Sequence, residues 1–242
     1  QVTTLATNVA SPLFSKLQHD AARLRGFLLH LTRGVAYLTY PALLGMLACS
    51  HELIAVVLGE KWMDVLIPFQ ALCLMGLVKS VDPLLSQVLI STGHAKKLSA
   101  YTLMCGVVIT LSVTAGAMLD GLRGVSLVWV VVYPLLSVKL LHDACRVTGL
   151  RMREYYAALA PVLAGALAMA GVVVLVRMFL LQLDVTVPVI LAAEIASGAV
   201  AYFLWVVYLD ARGIAEIRQV MLDLGIAEQK LERWPFNRRV TV

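Results

Sequence analysis

Charge is what this chain has least of. Only 14% of its 242 residues are Asp, Glu, Lys or Arg, against about 25% in an ordinary soluble domain. With 60% apolar residues and a mean hydropathy of +0.85, a water-soluble globular domain is excluded. The four cysteines, Cys49, Cys73, Cys105 and Cys145, lie far apart, within or at the ends of apolar runs, and form no C-x-x-C. A zinc site or disulfide framework therefore has no footing. Five histidines are equally scattered, with no H-E-x-x-H pair, so no metal and no cofactor is expected. The opening QVTTLATNVASPLFSKL has neither the basic n-region nor the cleavage site of a signal peptide. It reads as the last turns of an apolar helix, and the expectation is a fragment lacking an upstream portion.

What is present is a series of long apolar runs. A helix rising 1.5 Å per residue needs about 20 apolar residues to cross roughly 30 Å of hydrocarbon. Six segments meet that length: 27–49, 66–91, 98–119, 124–142, 157–180 and 185–208, with a partial span over the first 14 or so residues. The fold class expected is all-α, a polytopic transmembrane helix bundle with short connections between antiparallel neighbours.

Orientation follows from the basic residues. Lys16, Arg23, Arg25, Lys96, Lys97, Arg146, Arg151 and Arg153 fall on one side of the alternating spans, with Arg212, Arg218, Lys230, Arg233, Arg238 and Arg239 in the tail. The other side receives Lys61 and Arg123 beside Glu52, Glu60, Asp64, Asp120 and Asp184. The basic side, with the C-terminus, is expected to be cytoplasmic. The net charge of +5 thus follows from topology, and no nucleic-acid partner is expected. HELIAVVLGEKWMD (51–64) is too short to cross and reads as an interfacial helix ended by Gly59, with Trp62 as anchor. Small residues four apart in 157–180, such as Ala164 and Ala168, suit close helix packing. Ile214, Ile217, Met221 and Leu224 give the tail an amphipathic face.

Against this background, polar residues at depth carry the information, because a charge at the bilayer centre costs roughly 2.5–3.5 kcal/mol on insertion scales. In LMGLVKSVDPLLSQVLI (74–90), Lys79 and Asp82 are three residues apart on one face and able to pair, Ser86 continues that face, and Pro83 predicts a kink. Two readings stand, an ion pair locking helices or the wall of a hydrated cavity, and the continuous polar stripe favours the cavity. Arg33 shares a face with His30, Tyr37 and Tyr40. It either snorkels to the nearer interface or faces inward, where its planar fork suits phosphate. Glu194 stands about nine residues into its span without a basic neighbour one turn away. Pairing across helices, protonation in place and a water path all remain open for it. Lys139 and Arg177, near span ends, are expected to snorkel, and Trp205 and Tyr208 to sit in the interfacial aromatic belt.

LTYPALLGMLA (38–48), followed by LIAVVLGEKWMDVLIPFQALCLMGLVKSVDPLLSQVLISTGHAKK (53–97), resembles the polysaccharide flippases of the MOP exporter superfamily, in particular the Wzx-type, colanic-acid-exporter-like branch. SPLFSKLQHD (11–20), GEKW (59–62) and the Phe69-Gln70-Ala71-Leu72-Cys73 register through Ser80 carry the resemblance, most strongly over 11–97. It implies the C-terminal half of a fourteen-helix transporter. Residues 1–19 would end a truncated transmembrane helix, 20–142 would form the C-terminal lobe, 143–208 an extra helix pair, and 209–242 a cytoplasmic amphipathic tail. In related peptidoglycan-precursor flippases that extra pair borders a groove for the lipid tail. The resemblance further implies movement of an undecaprenyl-pyrophosphate-linked oligosaccharide across the bacterial inner membrane by alternating access, with membrane lipids and other polysaccharide-assembly proteins as partners and no enzymatic step. The first lobe of the family is absent from this sequence, and no family motif designates substrate ligands in it.

From the residues themselves, Arg33 and Lys79 are the candidate anion contacts, with Asp82 holding Lys79 when the site is empty, Ser86 beside them, and Glu194 as a coupling or groove residue. Other readings remain: a multidrug exporter of the same superfamily, a membrane-embedded glycan transferase or polymerase, or a scaffold that does not transport. A multidrug exporter would normally lack the extra helix pair, and a glycan enzyme would place clustered His, Asp or Arg in a sizeable loop.

Overall fold

The computed structural model describes residues 21–183 and 185–208. The expected partial span before residue 20, the SPLFSKLQHD segment, Asp184 and the amphipathic tail after 208 lie outside the described residues. Those described form helices and no strand. Helix α1 is Ala21–Ala48, α2 is Ser50–Val57, and a 3-10 turn covers Glu60–Val65. There follow α3 (Leu66–Lys79), α4 (Asp82–Ser91), α5 (Ala95–Thr148), α6 (Met152–Leu180) and α7 (Val187–Tyr208).

Local chemistry sets the breaks. Beyond Cys49 the chain turns by 75° into α2, which closes at Gly59, where φ is +91° and the amide donates to the Ile54 carbonyl at 3.0 Å. The kink expected at Pro83 is a two-residue break: α3 ends at Lys79 and α4 begins at Asp82 with proline in its first turn, while Ser80 and Val81 between them keep right-handed helical dihedrals. A proline lacks the amide that a helix start leaves unpaired, and its ring obstructs the preceding turn. Helix α5 runs over two of the expected spans and breaks at Asp120–Gly121, where Gly121 has φ +53°. Its two arms fold back on each other closely enough that a Cβ on Gly116 or Gly124 would collide with the other's backbone.

Among the described residues four runs are long and apolar enough to cross a membrane, Glu60–Ser91, Ala95–Thr148, Met152–Leu180 and Val187–Tyr208, and the bent pair α1 and α2 makes a fifth if it is one span. Helix α1 is central: it packs on α6 on one side and on α3 and α4 on the other, while α6 pairs with α7, and α3 and α4 pair with α5. The core between them holds Leu28, Val35, Leu84, Leu85, Val88, Leu140, Ala144, Val162 and Ala166. Outside, Leu103, Leu111, Leu135, Leu175 and Phe179 are exposed. A helix apolar on both its packed and its open face suits a lipid surround. This is an all-α, polytopic membrane bundle.

Of the small residues of α6, Gly165 and Ala166 are buried, whereas Ala164 and Ala168 are exposed. Gly165 lies so near the Trp205 indole that a Cβ there would collide with it, and Gly198 of α7 abuts Val173. Trp205 therefore packs between helices, where the sequence placed it in the interfacial belt. Tyr208 is exposed.

Candidate functional site

The break between α3 and α4 separates the two charges that the sequence placed together. Asp82, 6% exposed, accepts a hydrogen bond from the Ser137 hydroxyl at 2.6 Å and another from the Tyr133 hydroxyl at 2.8 Å, both from the second arm of α5. Lys79 is exposed, and its Nζ stands 6.0 Å from the ring centroid of Trp129 and 5.7 Å from that of Tyr133. It lies within electrostatic reach of Asp82, but among the described residues it forms no ion pair. The expected Lys79–Asp82 contact is corrected accordingly. Two hydroxyls occupy the carboxylate, while the ammonium rests against aromatic faces, whose quadrupole attracts a cation without neutralising it.

Trp129, Tyr133 and Ser137 recur every four residues, one face of an α5 turn. That spacing is the sequence signal that could have found them. Asp82 also lines a small cavity of about 140 Å³ with Tyr40, Ser137, Tyr155 and Tyr156. Ser86 is half-buried one turn along α4, and Arg33 is half-buried on α1 between the buried Thr32 and Tyr37. Neither lines this cavity. The site thus draws Lys79 and Asp82 to α5, with Ser86 one turn along α4, while Arg33 stands on α1 outside this cavity.

Glu194 is elsewhere. It belongs to the wall of an apolar groove of about 820 Å³ between α1, α6 and α7, with Pro41, Met46, Met169, Val173 and Tyr202 among its lining. Beside it, the Arg177 Nε stands 2.8 Å from Glu52 Oε1, and His51 Nδ1 is 3.6 Å from the same oxygen. Arg177 is thus held by α2, where snorkelling was expected. Helix α2 is also held from the other side, since Gln70 Nε2 donates to the Ser50 hydroxyl at 2.9 Å. Lys139 has Asp143 at 3.7 Å, one turn on. Among the described residues no cluster of His, Cys, Asp and Glu could hold a metal.

Residues 1–67 match the family described as polysaccharide biosynthesis protein. The chain is 28% identical over 123 residues to the lipopolysaccharide biosynthesis protein WzxC of Escherichia coli K12, a stretch covering 51% of this chain and 25% of that protein. It is 26% identical over 142 residues to the teichuronic acid biosynthesis protein TuaB of Bacillus subtilis 168, covering 57% of this chain and 28% of TuaB. An uncharacterized membrane protein in the cps region of Klebsiella pneumoniae is 33% identical over 81 residues, 34% of this chain and 17% of that protein. The chain thus spans about a quarter, or less, of the length of these relatives. No solved structure matches.

Proposed function

We propose that this chain, a partial-length relative of the Wzx-type polysaccharide-biosynthesis membrane proteins, serves in the movement of a lipid-linked oligosaccharide across a bacterial inner membrane. It would act as part of a larger transporter, without an enzymatic step of its own. The names of two relatives support a role in polysaccharide assembly, and the polytopic apolar bundle supports a membrane transporter. The basic ends of the helices, together with the C-terminus, are assigned to the cytoplasmic side by charge bias.

The observation that carries the reading is Lys79, an exposed cation inside an apolar run, held against Trp129 and Tyr133 with no ion pair among the described residues. A pyrophosphate-linked sugar must leave water to cross, so its head needs charge-assisted hydrogen bonds within the membrane. Lysine brings three rotatable donors on a flexible stem. Resting on ring faces leaves those donors available, whereas a carboxylate partner would occupy them. In this scheme the rings take the part first given to Asp82: they hold Lys79 while the site is empty and release it to the anion. Asp82 is fixed beside Lys79 by the Tyr133 and Ser137 hydroxyls. Arg33 supplies a second anion contact and Ser86 a hydroxyl for the sugar.

The test is Lys79→Ala in the full protein, scored by polysaccharide export in cells and by the amount of protein in the membrane. Export should be lost at an unchanged membrane level. Normal export in that variant would remove Lys79 from the mechanism and leave the transport reading without its central observation.

A further inference from the structure

Glu194 is 0% exposed, and among the described residues neither of its carboxyl oxygens has a hydrogen-bond partner. An ionised carboxylate in that condition carries an effective penalty of several kcal/mol unless a cation offsets it. The cation within reach is Arg177, and Glu52 also faces Glu194. Yet Arg177 lies 2.8 Å from Glu52 Oε1, and Glu52 is itself 2% exposed. Two buried carboxylates therefore share one guanidinium, leaving the cluster one positive charge short.

The other groups near Glu194 are a thiol, a half-exposed imidazole and a hydroxyl, none of them a fixed cation. From the α1–α2 junction comes Cys49, whose thiol donates to the Gly45 carbonyl at 2.7 Å. From α2 comes His51, which lies against Glu52 with its side chain about half exposed. On α7 itself, the Ser197 hydroxyl donates to the Glu194 backbone carbonyl at 3.1 Å. A hard metal cation needs about six oxygen ligands, whereas the groove wall around Glu194 offers Pro41, Ala42, Met46, Met169, Val173 and Gly198. A proton needs a single lone pair and no coordination shell.

We propose that Glu194 is a reversible proton-binding site whose occupancy is set by whether Arg177 is held by Glu52. With the Glu52–Arg177 pair closed, Glu194 is the neutral acid and the groove beside it is apolar. When α2 moves and the guanidinium turns to Glu194, the proton leaves for water and the carboxylate takes the charge. His51, about half exposed, lies against Glu52 beside that pair. The step moves one proton and no electrons. It requires only the membrane bundle and would stand if the transported substrate were something other than an oligosaccharide.

Dicyclohexylcarbodiimide tests this directly, because it couples to carboxyls that are protonated and in apolar surroundings. The full chain in detergent would be treated in acidic and alkaline buffers, with and without sodium chloride, and the adducts mapped by mass spectrometry. An adduct on Glu194 is expected that fades as the buffer becomes alkaline, is indifferent to sodium, and is missing from Glu194→Gln. In Glu52→Gln, which frees Arg177, the adduct should fade in more acidic buffer than in the unaltered protein. No adduct on Glu194 at any pH would overturn the proposal. So would an adduct that sodium blocks, which would assign the site to a metal cation, or a fading point that Glu52→Gln leaves unmoved.

Discussion

Arg177 and Glu52 are joined at 2.8 Å across two helices that are distant in sequence, one of them only eight residues long. Helix α2 is too short to be stable alone, and its hold on the bundle combines the buried Ile54 with polar contacts. Glu52 ties it to α6, and the buried Ser50 ties it to Gln70 of α3. Exchanging one of these polar contacts would change how the segment is held. That exchange is what the protonation of Glu194 would exploit.

Removing one partner of a buried ion pair strands the other, at a cost of roughly 3–5 kcal/mol. With the Arg177 side chain 30% exposed, Arg177→Met should fall at or below the lower end of that range. The double variant Glu52→Gln with Arg177→Met should recover most of the loss, since neither charge is then left alone. Thermal unfolding in detergent measures both. Losses that simply add would mean that the two side chains do not interact in the folded protein.

Asp82 offers a second comparison. Hydrogen bonds to a charged acceptor contribute about 1.5–3 kcal/mol each. The Ser137 bond is fully buried at 2.6 Å and the Tyr133 bond part-buried at 2.8 Å. Ser137→Ala should therefore destabilise the protein more than Tyr133→Phe, and Tyr133→Phe keeps the ring against Lys79. In an Asp82→Ala background both effects should shrink sharply. If Ser137→Ala costs the same with and without the carboxylate, the hydrogen bond is not what holds Asp82.

The helical class was legible because a bilayer imposes a length and an apolarity that composition cannot hide. Pro83 marked the interruption before α4, and Gly59 marked the end of α2. The partnerships were not legible. Lys79 and Asp82 are neighbours in sequence, and helical periodicity makes them face together only if the helix continues through Ser80 and Val81. The chain breaks at those two residues, so the carboxylate meets Ser137 and Tyr133, more than 50 residues away. Arg177 near a span end looked free to snorkel, because nothing in the linear order says that the bend after Cys49 swings Glu52 against it. The depth of Glu194 was visible in the sequence. That its oxygens would find no donor depends on three helices packing together.

The hairpin in α5 gives a sharp test, because its two arms approach through backbone rather than side chains. A Cβ on Gly124 would meet the carbonyl group of Gly116, and one on Gly116 would meet that of Gly124. Side chains can change rotamer to make room, but carbonyls in a hydrogen-bonded helix cannot. Gly124→Ala must then push the arms apart near the turn, a strain of the overpacking kind that costs about 1–3 kcal/mol. Gly106 lies in the first arm with nothing within 4 Å of its Cβ position. Gly106→Ala should be neutral, or stabilise by up to about 1 kcal/mol through helix propensity. Melting temperatures of the two variants in the same detergent decide the matter. Gly124→Ala should melt lower than the unaltered chain and Gly106→Ala should not. Equal melting of the two would mean that the arms do not touch at Gly116 and Gly124.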